Sequence, residues 1–206
     1  MRASSARTFE PPVASGKLSR MAKSVNPSHF EKIPAFVQGE KDVVHAIIET
    51  PRSQRHKYAL EAEYGIFRQK LLLPEGLLWP YDYGFIPRTL GQDGDPLDIL
   101  FLGSEPTFTG CLVNARLIGI INLKKNGLEN DRILGCPMPQ EGLTQDTDDY
   151  KNAGDLPKDT MKNICRYLVE YSESEGNKIE FLGAQSRKHA IRAIKRGMKT
   201  FQKSNK

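Results

Sequence analysis

The 206-residue chain has no apolar run of the roughly 18 residues that a membrane-spanning helix needs, so its sequence predicts no membrane segment. Cysteine is scarce: Cys111, Cys136 and Cys165 lie far apart, and no two of them form a C-x-x-C pair. This odd number and wide spacing exclude a disulfide framework and a zinc site. We interpret the cysteines as reduced thiols and expect a cytoplasmic protein.

The net charge of +5 is unevenly distributed along the chain. Residues 1–32 carry six basic and two acidic side chains, and residues 178–206 carry nine basic and one acidic, whereas residues 33–177 carry 15 basic and 22 acidic. A basic chain suggests nucleic-acid binding. An acidic body between two basic ends suits bound cations better, so we expect no nucleic-acid partner.

The length predicts one domain, and no internal repeat is evident. Residues 1–35 combine several serine and basic residues with the pair Pro11-Pro12, and no apolar segment typical of a signal sequence follows. We therefore predict a flexible N-terminal extension over residues 1–35 and a single domain over residues 36–206.

Short apolar runs alternate with glycine and proline turns between residues 43 and 136, a pattern typical of a β-barrel or β-sandwich. The aromatic-rich segment 78–87 is interpreted as a turn region. The predicted strands are Val43–Thr50, Tyr58–Glu61, Gly65–Arg68, Leu97–Leu102, Cys111–Leu123 and Ile133–Cys136.

Two amphipathic helices are predicted towards the C-terminus. The first has Asp155 as a possible cap, Pro157 at its first position and Gly176 as its stop. The second begins near Gln185 and carries apolar residues at helical spacing. Its numerous basic residues are interpreted as the solvated side of a packed helix.

The most informative segment is Asp93-Gly94-Asp95-Pro96-Leu97-Asp98, which holds three carboxylates within six residues. Gly94 permits an unusual backbone angle and Pro96 fixes another, so the turn can aim several carboxylates at one point. Close anions raise one another's pKa, whereas Mg²⁺ or Mn²⁺ turns them into a ligand set. The alternative is a solvated acidic turn.

Residues upstream give this cluster a chemical context. Tyr83 lies in the aromatic segment Trp79-Pro-Tyr-Asp-Tyr-Gly-Phe-Ile-Pro87, ten residues before Asp93, and Glu49 and Lys57 precede that segment. A metal ion polarises a phosphoryl oxygen, and lysine and tyrosine hold phosphate. In order and spacing these residues resemble the soluble inorganic pyrophosphatases of family I, over residues 43–200.

This resemblance implies an α+β, mainly β fold: an OB-like five-stranded β-barrel flanked by two C-terminal α-helices. It also implies hydrolysis of pyrophosphate to two phosphates with Mg²⁺ as cofactor, in a homo-oligomer, either dimer or hexamer. Asp95 would be the general base towards a metal-bound water. The implied site comprises the catalytic residues Asp95 and Tyr83, the substrate-binding residues Lys57, Tyr171 and Arg132, and the metal ligands Asp93, Asp98, Glu49 and Asp131.

Several positions depart from the family pattern. Lys125 and Asn130 align with two metal-binding aspartates, Ala59 with a glutamate, Leu71 with an arginine, and Ser172 with a lysine. One explanation is that the loop shifts and Asp131 joins the metal site. Another is that a metal is lost and Lys124 or Lys125 supplies part of its charge.

Three functional alternatives stay open at this point. The first is a catalytically impaired pyrophosphatase-like protein, since a fold does not guarantee an activity. The second is an OB-like nucleic-acid-binding module, although such a module interleaves basic residues with exposed aromatics. The third is hydrolysis of another phosphoanhydride, such as a nucleotide or polyphosphate, by the same site.

Overall fold

The structure, a computed structural model, describes residues 27–139 and 147–204. Two α-helices lie in these ranges, α1 (Lys158–Ser174) and α2 (Arg187–Ser204). The strands of the described residues are β1 (Val43–Thr50), β2 (His56–Glu61), β3 (Ile66–Leu72), β4 (Asp82–Ile86), β5 (Leu97–Phe101), β6 (Leu112–Lys125), β7 (Leu128–Glu129), β8 (Arg132–Pro137) and β9 (Ile179–Ser186). Short 3₁₀ helices span Pro27–Lys32 and Ala153–Asp155.

Five strands close into a barrel in the order β1-β4-β5-β8-β6, because β6 also pairs with β1. The pairing of β5 with β8 is parallel, and the other pairings around the barrel are antiparallel. Strands β7 and β9 extend the sheet from β6, and β2 and β3 form a separate hairpin. The barrel and the two helices confirm the predicted fold class.

Helices cover two sides of the barrel, which explains why the sequences of the barrel strands are nearly continuous apolar runs. Side chains alternate across a strand, so Ile99 packs in one buried cluster and Leu100 in the other. Tyr171 and Leu168 of α1 belong to the cluster of Leu100, and Ile194 of α2 belongs to that of Ile99. With both faces buried, the strands lose the polar alternation of a solvated sheet.

The helices follow the predicted patterns closely. Pro157 lies at the N-cap of α1, one position before its predicted place, and Gly176 follows the helix end with a φ of +73°. In α2 the small residues Ala190 and Gly197 are buried on the side of Ile194. Its solvated face confirms the sequence interpretation, since these basic side chains are exposed: Lys188, Arg192, Lys195, Arg196 and Lys199.

Three strands are not predicted by the sequence: β4, β9 and the two-residue β7. The sequence indicates a turn over residues 82–86, but β4 is a fully buried barrel strand. Its glycine and the prolines on both sides imitate a turn, and tertiary burial overrides that local signal. Strand β9 runs to Ser186, where the second helix was predicted to have begun, because its residues complete the pairing with β6.

The described chain packs on the barrel before the predicted domain boundary at residue 35. Phe30 lies edge-on against Phe67 and Phe85, at centroid distances of 5.9 and 6.1 Å, and Ala35 is fully buried. Residues 1–26 of the predicted extension lie outside the described residues. The extension itself therefore stays a prediction.

The described residues include all three cysteines. Cys111, Cys136 and Cys165 are free thiols, as predicted. Neither described helix combines the length and apolar character that crossing a membrane requires.

Gly84 tests how closely β1 and β4 approach each other. A Cβ added there would lie 2.0 Å from the carbonyl oxygen of Ile47, which is backbone and has no freedom to move aside. We expect Gly84→Ala to lower the free energy of unfolding by about 3 kcal/mol in urea titrations. The matched control is Gly154→Ala, where the added Cβ meets nothing within 4 Å. A cost for Gly84→Ala no larger than that of the control would contradict the register described here.

Candidate active site

A cavity of about 450 Å³ opens between the barrel, the β2–β3 hairpin and the end of α1. It brings together residues that are distant in sequence but belong to the predicted site. All of the predicted site residues except Asp131 line it: Glu49, Lys57, Tyr83, Asp93, Asp95, Asp98, Arg132 and Tyr171.

The acidic loop between β4 and β5 forms one wall of this cavity. The Gly91 N–H donates to the Asp95 carbonyl over 2.7 Å, and the Asp95 N–H donates to the Asp93 carboxylate over 3.2 Å. Gly94 takes a φ of +90°, which closes the turn without strain. Desolvation raises the pKa of Asp95, and the neighbouring Asp93 and Asp98 carboxylates raise it further. The loop thus holds a carboxylate whose proton affinity exceeds the ordinary value.

Asp98 is held by a buried cation. The parallel register of β5 and β8 places Asp98 beside Arg132, and their carboxylate and guanidinium lie 2.8 Å apart. The Arg132 side chain is only 5% exposed, and its guanidinium lies 5.6 Å from the centroid of the Tyr83 ring. A guanidinium fixed in this way offsets part of the negative charge of the loop.

Irregular strand pairing sets the direction of the Glu49 and Lys57 side chains. The β1–β4 register shifts between Ile48 and Thr50, which places Glu49 at the irregularity, and the β2–β3 register shifts directly after Lys57. Such irregularities redirect a side chain beside a binding site. The Leu60 N–H donates to the Glu49 carboxylate over 2.8 Å, yet burial raises the pKa of Glu49 to about 7.

Two ammonium groups, those of Lys57 and Lys125, line the cavity beside the end of α1. Lys57 donates to the Tyr171 hydroxyl and, over 3.0 Å, to Glu175, and Lys125 donates to the other oxygen of Glu175 over 3.2 Å. Sequence analysis missed Glu175. A signal was present, because Glu175 follows Tyr171 by four positions and therefore shares its face at the end of α1.

An aromatic cluster packs against Tyr83 and Tyr171, the two tyrosines that line the cavity. Trp79 is buried, and its ring centroid lies 5.0 Å from that of Tyr83, 5.4 Å from that of Tyr167 and 5.0 Å from that of Tyr171. Burial raises the pKa of Tyr83 and of Tyr171 well above the ordinary value. Both hydroxyls therefore stay protonated at neutral pH, and the neighbouring carboxylates, Asp98 beside Tyr83 and Glu175 beside Tyr171, raise the two pKa values further.

Asp131 does not line this cavity, but it lines an adjacent one of about 420 Å³ together with Asp93 and Asp98. Its carboxylate accepts hydrogen bonds from the Asn122 side chain over 2.8 Å and from the Leu123 N–H over 3.1 Å. Side chains alternate along an extended chain, so Asn130 and Arg132 line the first cavity and Asp131 does not. Asn130 donates to Asp93. The shifted-loop explanation would therefore require Asp131 to act from the adjacent cavity.

Lys125 has the position required by the alternative explanation, in which a lysine supplies part of the charge of a lost metal. It lines the cavity, whereas Lys124 lines a different one on the opposite side of β6. Of the two lysines that the sequence suggests as a source of positive charge near the substrate, Lys125 is therefore the one that lines this cavity.

The donor chemistry of the cavity fits a hard divalent cation. Over residues 27–139 and 147–204, no three Asp, Glu, His or Cys side chains converge closely enough to form a metal cage. Mg²⁺ seldom uses such a cage, because it keeps several waters and binds through one or two carboxylates together with substrate phosphates. The separated carboxylates of Asp93, Asp95 and Asp98 meet that requirement.

A closed barrel whose cavity combines carboxylates with lysine, arginine and protonated tyrosine is typical of a hydrolase acting on phosphate compounds. The sequence matches the family model described as inorganic pyrophosphatase over residues 46–202. The chain belongs to the inorganic pyrophosphatase family, whose members are metal-dependent hydrolases. This membership favours the enzyme over the nucleic-acid-binding module.

Individual relatives agree with this assignment. The inorganic pyrophosphatase of Geobacillus stearothermophilus is 34% identical over 141 residues, which cover 68% of this chain and 83% of the relative. The soluble inorganic pyrophosphatase of Oryza sativa subsp. indica is 31% identical over 198 residues, which cover 91% and 87%. The crystal structure of the Thermus thermophilus inorganic pyrophosphatase superposes with a TM-score of 0.75 at 27% identity, covering 84% of this chain and 98% of that one.

The raised pKa of Glu49 predicts a pH dependence of stability. Its folded pKa of about 7 exceeds the ordinary 4.5, so its contribution is complete below pH 4.5 and is lost as the pH rises to 7. In EDTA, the free energy of unfolding should fall over this range by up to about 3 kcal/mol more in wild type than in Glu49→Gln.

Urea titrations at a series of pH values measure this difference. The exposed Glu63 supplies the control variant Glu63→Gln, which should follow wild type at every pH. Parallel curves for wild type and Glu49→Gln would show that Glu49 is not desolvated as described.

Proposed function

We propose that the chain hydrolyses inorganic pyrophosphate to two phosphates with Mg²⁺ as its cofactor. The observation that carries this proposal is the convergence of carboxylates and cations in one cavity. The carboxylates of Glu49, Asp93, Asp95 and Asp98 line it together with Lys57, Lys125 and Arg132. A small polyanion is neutralised directly by the cations and, through bound cations, by the carboxylates.

In this proposal Asp95 accepts the proton of the attacking water. Its raised pKa suits a base, because proton affinity drives the transfer. Asp93, Asp98 and Glu49 would hold the metal, which supplies Lewis-acid polarisation of water and phosphoryl oxygens when bound. Asp131 is left out of the proposed ligand set because its carboxylate already accepts two hydrogen bonds elsewhere.

Substrate binding is assigned to the cationic and hydroxyl groups. Lys57 and Arg132 would pair with phosphate oxygens, the first as a mobile point charge and the second as a fixed planar donor. The protonated hydroxyls of Tyr83 and Tyr171 would donate hydrogen bonds to the same oxygens. No covalent intermediate is needed, because positioning and charge stabilisation suffice for phosphoryl transfer.

A specific observation keeps a second candidate in view, a catalytically impaired relative. Lys125 and Asn130 line the cavity where the family resemblance calls for aspartates, so fewer carboxylates face the substrate. A lysine neutralises phosphate charge but does not activate water. The activity assay below separates the two candidates.

We also propose a cytoplasmic homo-oligomer, either dimer or hexamer. The free thiols support a reducing compartment. Exposed apolar side chains such as Phe108, at 67%, and Ile66, at 56%, support an interface between copies. Sedimentation showing only monomers at micromolar concentration would contradict this assembly.

Phosphate release from pyrophosphate tests the proposed reaction. Wild type should release phosphate only with Mg²⁺, and Asp95→Asn should lower kcat at least about 100-fold, because the base is lost while its shape is kept. Asp149→Asn is the matched control, since Asp149 is exposed and does not line the cavity.

Two results would contradict the proposal at different levels. Wild type without Mg²⁺-dependent release between about pH 6 and pH 9 would favour the impaired relative. Full activity of Asp95→Asn would remove Asp95 as base and leave the reaction in place. A higher kcat/KM for a nucleoside triphosphate or tripolyphosphate would change the substrate.

A further inference from the structure

Glu175 forms a bridge between two lysines at the rim of the cavity. One carboxylate oxygen lies 3.0 Å from the Lys57 ammonium, and the other lies 3.2 Å from the Lys125 ammonium. The side chains of Lys57, Lys125 and Glu175 are 23%, 29% and 18% exposed. These groups come from β2, β6 and the end of α1, so the bridge ties three distant segments together.

The carboxylate lies behind the ammonium groups as seen from the cavity. Lys57 and Lys125 line the cavity, and Glu175 is not among its lining residues. Glu175 stands at the C-cap of α1, where the helix dipole disfavours an anion. Burial would raise the pKa of Glu175, but Lys57, Tyr171 and Lys125 together hold it below the ordinary value. The carboxylate therefore remains charged and keeps both lysines in place.

The charges of this cluster do not cancel. Two ammonium groups share one carboxylate, so the three side chains together carry one net positive charge, and both lysines line the cavity that Asp93 and Asp95 also line. Without the carboxylate that both contact, the two ammonium groups would repel each other and turn towards solvent. The bridge thus presents a cation pair that isolated lysines would not maintain.

We propose that Lys125 binds a phosphate group of the substrate and that Glu175 is a positioning residue that holds Lys125 and Lys57 as a phosphate-binding pair. The inference rests on the proposed pyrophosphate substrate. It assigns binding, not proton transfer, to Lys125, because an ammonium group donates hydrogen bonds and accepts none.

The Lys125 arm of the test measures affinity and turnover separately. Lys125→Gln should raise the KM for pyrophosphate and the calorimetric Kd for methylenediphosphonate, a non-hydrolysable analogue, about tenfold in saturating Mg²⁺. The matched control is Lys124→Gln, which makes the same change on the opposite side of β6. Equal Kd values for the two variants would overturn the inference.

The test of Glu175 asks whether Glu175→Gln strengthens or weakens binding of the anion. Coulomb attraction alone predicts that Glu175→Gln strengthens binding of an anion, because a nearby negative charge is removed. Positioning predicts weaker binding, about threefold or more in Kd, with recovery in Glu175→Asp. Glu173→Gln, at an exposed site of the same helix, is the control. Binding equal to or tighter than wild type in Glu175→Gln would overturn the positioning role.

Separate outcomes distinguish this inference from the proposed function. Wild type that binds methylenediphosphonate in a Lys125-dependent manner but releases no phosphate would support the inference and reject the hydrolysis. Wild type that hydrolyses pyrophosphate with Lys125→Gln matching Lys124→Gln would do the reverse. Thermal unfolding midpoints of all variants show whether an affinity change reflects loss of the fold.

Discussion

Mutual repulsion among the carboxylates of Asp93, Asp95 and Asp98 is the constraint on which the rest of the site depends. Asp93 and Asp95 in the loop before β5, and Asp98 in β5, line one cavity, and Glu49 adds a fourth carboxylate from β1. Burial raises the pKa of Asp95 and of Glu49, and repulsion from the neighbouring carboxylates raises both further. The surrounding structure must therefore supply positive charge at fixed positions.

The barrel supplies that charge through its topology. Its single parallel pairing, β5 with β8, sets the buried Arg132 against Asp98. The barrel strands that carry Glu49, Tyr83, Asp98 and Arg132 are neighbours around the closed sheet, and α1 brings Tyr171 to the same cavity. The fold thus brings carboxylates and cations from distant segments into one cavity. Hydrolysis of a phosphoanhydride needs both, because cations stabilise phosphate charge and carboxylates bind metal or accept a proton.

Local sequence was sufficient for some of these features. The carboxylate loop, Tyr83, Lys57 and the amphipathic helices could be predicted because each depends on a short segment with its own spacing. Strand β4 could not, because its glycine and flanking prolines imitate a turn and only burial within the barrel makes it a strand. The start of α2 was displaced for a similar reason, since pairing with β6 decides where β9 ends.

The orientation of side chains around the cavity depended on tertiary structure. Whether Asp131 or Asn130 faces the carboxylates is decided by the register of β8, which the sequence does not reveal. Spacing places Glu175 on the same face as Tyr171, but its contacts with Lys57 and Lys125 depend on where α1 ends relative to β2 and β6. The family resemblance supplied candidate positions, and the structure decides which of them share a cavity.

Thermal unfolding in millimolar Mg²⁺ and in EDTA tests the central claim most directly, namely that the carboxylates form a site for a divalent cation. A cation that binds the folded state alone raises its stability, by about 2.7 kcal/mol at 100 times its Kd. The account predicts a higher unfolding midpoint in Mg²⁺ for wild type and a much smaller Mg²⁺-induced shift for Asp93→Asn. Equal midpoints for wild type with and without Mg²⁺ would contradict it.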